Sequence, residues 1–189
     1  MKALKTLFGG FIALTLFATA AVSAQGNKYE EGKHYTMVSE QGTNTPELRE
    51  YFSYYCPTCR AYEPYLSEFE KILPDGAKFK KTHVDFMAHT TPEIQFMLSK
   101  ALIIAEKTSV AKKFSPAVFK YLQIDREKFD SEKDIRNIFV ENGGDGAKFD
   151  KGMKSFSIIS EAKRNKKIQD KLSQARHLTG VPTMVINGK

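Results

Sequence analysis

"SYYCPTCRAYEPY", residues 53–65, sets the chain's two cysteines, Cys56 and Cys59, two residues apart at a change of local pattern. Upstream, "ELREYFSYY" (47–55) reads as a β-strand rich in aromatics. Pro57 suits the first turn of a helix, where its missing N–H is no loss. That helix is expected to run to about Leu73 and to end at the turn "PDG" (74–76). Pro64 lies inside it, which predicts a kink near residues 60–64. Beyond the turn, "AKFKKTHVDF" (77–86) alternates as a further strand. Strand, helix and strand at this spacing form a βαβ unit, which implies a parallel pair with a right-handed crossover.

Outward from that unit the pattern changes. On the N-terminal side "HYTMV" (34–38) reads as a short strand and "GTNTP" (42–46) as a turn cluster. On the C-terminal side, Thr91 to about Gly146 is helical throughout. Thr91 and Pro92 cap and start a first helix, and Ser115-Pro116 is read as opening a second. Ser131 with Asp134 resembles a capping box for a third, and "ENGGDG" (141–146) ends the run. One long helix is expected over 149–178, with Arg176 and His177 in its last turn and Gly180 just beyond. "TMVI" (183–186) then reads as a strand and "NG" as a tight hairpin turn, which suggests a chain continuing past Lys189.

A length of 189 residues suits one sizeable core, or one domain with a second inserted into it. Lys2 and Lys5, the apolar run Leu7–Val22 and the small residues Val22-Ser23-Ala24 make residues 1–24 a secretory signal peptide, cleaved after Ala24. No other stretch is apolar for the roughly 18 residues that a membrane span needs, so the mature chain reads as soluble. Export leads to an oxidising compartment such as the bacterial periplasm, where disulfides persist. Without Lys2 and Lys5 the formal charge of +7 falls to +5. The basic run "KRNKK" (163–167) reads as a solvated helix face rather than a nucleic-acid surface.

A structural staple explains Cys56 and Cys59 poorly, because a ring closed over two residues restricts the unfolded chain very little. Zinc would need His83 and His89 as the other ligand half, but the gap from Cys59 is nearly twice the usual dozen or so residues. Residue 60 is arginine, which excludes the haem-attachment pattern. A redox pair fits better. Cys56 sits where a helix N-terminus stabilises a thiolate, as the exposed attacking or leaving sulfur, and Cys59 one turn in is expected to be more buried. Tyr54, Tyr55 and Tyr62 read equally as a peptide groove or as core.

"EYFSYYCPTC", "KTHVDFM" and "GVPTMVINGK", in this order around a helical stretch, resemble the DsbA family of periplasmic thiol oxidases over most of the chain, from about residue 29. The resemblance implies an α/β fold: a thioredoxin-like domain, residues 25–86 and 149–189, with an all-helical domain, residues 87–148, inserted into it. It implies a Cys56–Cys59 disulfide donated to unfolded or reduced exported proteins, with no further cofactor and no metal. It also implies reoxidation by a DsbB-type, quinone-linked membrane oxidase, and a monomer. Val181 and Pro182 match a cis-proline loop that binds substrate peptide. Glu50 and Lys81 match a buried acid and base serving Cys59, and the strand reading independently places them on neighbouring strands. The family's usual dipeptide between the cysteines is Pro-His, and here it is Pro57-Thr58. A threonine brings no positive charge, so a weaker oxidant is expected. Arg49, where an apolar strand residue is expected, has no explanation at this level. The family continues with a further strand and helix beyond "TMVI". A reductase or isomerase, or a peptide-binding module without redox turnover, are the alternatives.

Overall fold

The structure, a computed structural model, describes residues 28–189. The signal-peptide reading of residues 1–24 lies outside them. Of the described residues, those up to Tyr35 form one unit and Thr36–Lys189 the other. In the first, an isolated bridge pairs Glu31 with Tyr35 around a turn. The strand expected over 34–38 does not form: Tyr35 and Met37 are exposed, and these residues belong to no named strand.

In the second unit three strands, β1 (Glu47–Phe52), β2 (Lys78–His83) and β3 (Thr183–Ile186), form one sheet in the order β2-β1-β3. β1 and β2 are parallel, with Glu50 opposite Lys81; β3 runs antiparallel to β1, with Met184 opposite Glu50. The crossover between β1 and β2 is the expected kinked helix. It consists of α1 (Pro57–Tyr62), a 3₁₀ turn (Glu63–Tyr65) and α2 (Leu66–Ile72). Pro64 lies in the 3₁₀ turn, where its missing N–H and its ring interrupt the α-helical bonding.

α3 (Pro92–Glu106) starts where expected, with the Thr91 hydroxyl accepting the Ile94 N–H. It is buried continuously from Ala101 to Ala105 because α4 (Ala111–Gln123), α5 (Glu132–Glu141), α6 (Gly146–Met153) and α7 (Phe156–Gln174) pack around it. The capping box of Ser131 and Asp134 opens α5. Three boundaries differ from expectation. α4 begins at Ala111 after the buried Val110, and Pro116 sits inside it, at the loss of one helical hydrogen bond. The helix expected over 149–178 is two, broken at Lys154–Ser155. Gly152 packs so closely on α3 that an added Cβ would lie 2.8 Å from Ile104 Cδ1. The domain boundary drawn at residue 148 therefore falls within α6. Finally, α7 ends at Gln174 and Arg176, not Gly180, takes the left-handed position with φ of 60°. The Arg176 N–H donates to Ser173 O and the His177 N–H to Leu172 O, which is a Schellman closure. Asn187 and Gly188 both have positive φ, and the Lys189 N–H donates to Ile186 O, closing the tight turn read from "NG".

Successive β1 side chains face opposite sides of the sheet. Tyr51 joins a small cluster with Val84, Leu178 and Val185. Phe52 faces the main core, where Tyr54, Phe114, Phe119, Phe139 and Phe149 meet mostly edge-on. Each such aromatic pair adds about 0.5–1.5 kcal/mol beyond its buried area. The same core contains Cys56 and Cys59, so the cysteines are packed into the main aromatic core.

Candidate active site

β1 ends at Phe52, and Ser53 turns the chain. Its carbonyl accepts the Cys56 N–H at 3.1 Å and its hydroxyl accepts the Tyr55 N–H at 3.1 Å. This leaves Cys56 extended (φ −96°, ψ 115°) as the N-cap of α1, with Pro57 at the first helical position. The Cys56 Sγ accepts the Cys59 N–H at 3.3 Å, one of the amides a helix start leaves unpaired, and its S–H donates to Val181 O at 3.4 Å. Val181–Pro182 is a cis peptide bond. Both cysteines are free thiols.

Cys59 is 0% exposed and Cys56 6%. The expectation of an exposed Cys56 is thereby corrected: the residue is buried, its sulfur held between the Cys59 amide and the Val181 carbonyl. Burial, reinforced by the hydrogen bond with Cys56 and the charge of Glu50, pushes the Cys59 thiol well up. Pro57 and Thr58 are exposed at the rim.

Below the pair, Glu50 is 0% exposed and Lys81 faces it across β1 and β2. The Lys81 ammonium lies 3.5 Å from Glu50 and 2.5 Å from Glu63, over the Phe52 ring at 4.3 Å. Neither Glu50 oxygen has a hydrogen-bond partner among the described residues. Burial raises the Glu50 carboxyl above the usual range, and Lys81 only partly offsets it. Glu63 escaped the sequence reading. Its only local signal is its place one helical turn beyond Cys59.

This arrangement offers one sulfur at a helix start, a second sealed beneath it and a carboxyl close to the sealed one, which suits thiol–disulfide exchange. A profile of the DSBA-like thioredoxin domain matches residues 47–189. The chain belongs to this DsbA family. It is 31% identical to the thiol:disulfide interchange protein DsbA of Pectobacterium carotovorum over 98% of its length and 85% of that protein's. The DsbA of Escherichia coli K12 is 33% identical over 89% of this chain and 79% of its own. Among solved structures, DsbA of Proteus mirabilis with the non-covalently bound peptide PWATCDS superposes with a TM-score of 0.72. It is 30% identical and covers 85% of this chain and 83% of its own. The fold is therefore thioredoxin-like, and the chain is a thiol:disulfide oxidoreductase.

The other side chains singled out in the sequence of this DsbA-family chain have varied surroundings. Tyr54 is core, bonded to Ser115 at 2.9 Å. Tyr62 is 43% exposed. Tyr55 stacks on His89 and lines a cavity of about 600 Å³ with Ile94, Met97 and Phe129. His83 is buried against Tyr54 with Nδ1 3.0 Å from the Ser99 Oγ, while His89 is exposed, so the two point to different surroundings. Among the described residues no group of three metal-capable side chains exists. Arg49 acquires an explanation: its guanidinium donates to Glu47 and to the Thr82 hydroxyl, both at 2.8 Å. Burial works against the charge on Glu47, but Arg49 and Lys80 hold its carboxyl below the usual range.

Proposed function

We propose that this protein is an exported dithiol oxidase whose Cys56–Cys59 disulfide is passed to reduced proteins in the periplasm, residues 1–24 serving as the export signal. A substrate thiolate attacks the Cys56 sulfur of the disulfide and Cys59 leaves as a thiolate that takes up a proton. A second substrate thiolate then attacks the substrate sulfur of the mixed disulfide, and Cys56 leaves as a thiolate. Two electrons pass from two substrate thiols to the pair, leaving a substrate disulfide and the protein's dithiol. A DsbB-type, quinone-linked membrane oxidase takes those electrons back.

Single residues divide the work. Cys56 exchanges, its sulfur held by the Cys59 amide. Cys59 is the sulfur displaced in the first step, and its burial favours the protonated product. Glu50 and Lys81 relay that proton. Val181 and Pro182 offer backbone to the substrate peptide, the Val181 carbonyl already lying against Cys56. Pro57 and Thr58 tune the pair from the rim. The protein acts as a monomer, in which residues 87–148 are a helical domain inserted between two parts of a thioredoxin-like one, 25–86 and 149–189.

The asymmetry of the two sulfurs carries this reading: one is capped by a helix amide and lies against the Val181 carbonyl, the other has no exposure at all. Equilibration with glutathione buffers tests it. An oxidase keeps the pair reduced until the buffer is strongly oxidising. A pair already oxidised in mildly reducing buffer indicates a reductase, and a pair that never exchanges indicates a binding module.

A further inference from the structure

Gln123, the last residue of α4, reaches out of the helical region to the turn that carries Cys56. Its Nε2 donates to Tyr54 O at 2.7 Å and to Cys56 O at 3.1 Å, and its Oε1 accepts from Arg60 Nε at 3.1 Å. All three contacts agree on one orientation of the amide. Flipped, its oxygen would face two carbonyls and its nitrogen a guanidinium. The two carbonyls bracket the Tyr55–Cys56 segment, so their positions fix the backbone torsions that aim the Cys56 sulfur. That sulfur has little latitude, with the Cys59 amide at 3.3 Å and the Val181 carbonyl at 3.4 Å. The Ser53 carbonyl holds the same segment from the strand side. Gln123 holds it from a helix more than sixty residues away in sequence, and its donors are close to fully used.

We infer that Gln123 is a positioning residue for the redox pair, a clamp from the helical region that keeps Cys56 at the helix start in the geometry favouring its exchange. The inference rests on the oxidase reading and adds to it a residue that touches neither sulfur. Arg60 is part of the clamp, because it orients the amide.

The test uses the mature chain with Gln123→Met, which keeps length and removes both donors, and Arg60→Lys, which keeps the positive charge at an exposed position but loses the Nε donor. Two readouts are taken, the glutathione equilibrium of the Cys56–Cys59 pair and the rate of Cys56 alkylation by iodoacetamide near neutral pH. Two hydrogen bonds of ordinary strength predict a shift of about tenfold in the equilibrium of Gln123→Met toward the disulfide, with slower alkylation, and a smaller shift in the same direction for Arg60→Lys. Unchanged values of both readouts in Gln123→Met, with only the melting temperature lowered, would show a packing role and overturn the clamp. If Gln123→Met does not fold, Arg60→Lys decides alone, and no shift in it overturns the inference. Failure of the oxidase reading is seen separately, as a wild-type pair that does not behave as an oxidase in the same buffers.

Discussion

Lys81 stands opposite Glu50 in the parallel register, yet its ammonium is 3.5 Å from that carboxylate and 2.5 Å from Glu63. Glu50 therefore has a nearby charge but no hydrogen bond among the described residues, at a position with no solvent exposure. Such a carboxyl is less stable ionised than it would be in the unfolded chain.

Glu50→Gln is expected to stabilise the protein at neutral pH by about 1–2 kcal/mol, by removing the burial penalty on the charge. The sign of the pH dependence follows from the raised carboxyl. The folded state binds this proton more tightly than the unfolded one, so its contribution to stability grows on acidification until the pH falls below 4.5, the ordinary value of a glutamate carboxyl. Urea midpoints of wild type and variant should converge as pH falls. A variant less stable than wild type at neutral pH contradicts this account.

His83 acts in the opposite direction. Ser99 Oγ donates to Gln95 O at 3.0 Å, so the imidazole must donate from Nδ1, and its buried Nε2 has no partner among the described residues. Burial lowers its pKa from 6.5 to about 3, opposed weakly by Asp85. With the folded value below the unfolded one, stability is full above 6.5 and is lost as pH falls toward 3. The slope should approach about 1.4 kcal/mol per pH unit in that window. His83→Phe should flatten it; an unchanged acid limb in the variant would assign the loss to other groups.

Thr58 is exposed two residues beyond Cys56, in the first turn of α1. Thr58→His adds a donor and, when protonated, a positive charge close to the sulfur that must bear an anion. The expected result is a glutathione equilibrium moved about tenfold toward the dithiol, a stronger oxidant. An equilibrium equal to wild type would mean that the helix start, not this side chain, sets the poise.

What the sequence disclosed were features encoded locally. The βαβ unit was legible because Pro57, Pro64 and "PDG" each act within a turn of their own position, and the box of Ser131 and Asp134 is local in the same way. "HYTMV" misled because strand propensity has no effect without a neighbouring strand to pair with. Pro116 looked like a helix start because the burial of Val110, which sets the real one, is tertiary. The break at Lys154–Ser155 depends on how near α6 comes to Ile104, and "DKGMKSFS" carries no stop signal as strong. At the site, the cysteine pair and the placement of Glu50 and Lys81 on neighbouring strands could be read in advance, while the pairing of those two charges came from the family resemblance. Glu63 could not, because its pairing with Lys81 spans 18 residues across two elements.

Arg176 offers a last test, of stability alone. It holds φ of 60° at the end of α7, where its N–H and that of His177 close the helix. A side chain with a Cβ in this left-handed conformation costs roughly 1 kcal/mol that glycine avoids. Arg176→Gly gives back part of that gain, through the greater entropy of glycine in the unfolded chain and the loss of a cation at the helix C-terminus. The net expectation is a gain of about 0.5 kcal/mol, read as a rise of a few degrees in the melting temperature. Arg176→Val, β-branched and poorly suited to positive φ, should move it the other way. If glycine lowers the melting temperature, the arginine side chain contributes more at this helix end than its backbone strain removes.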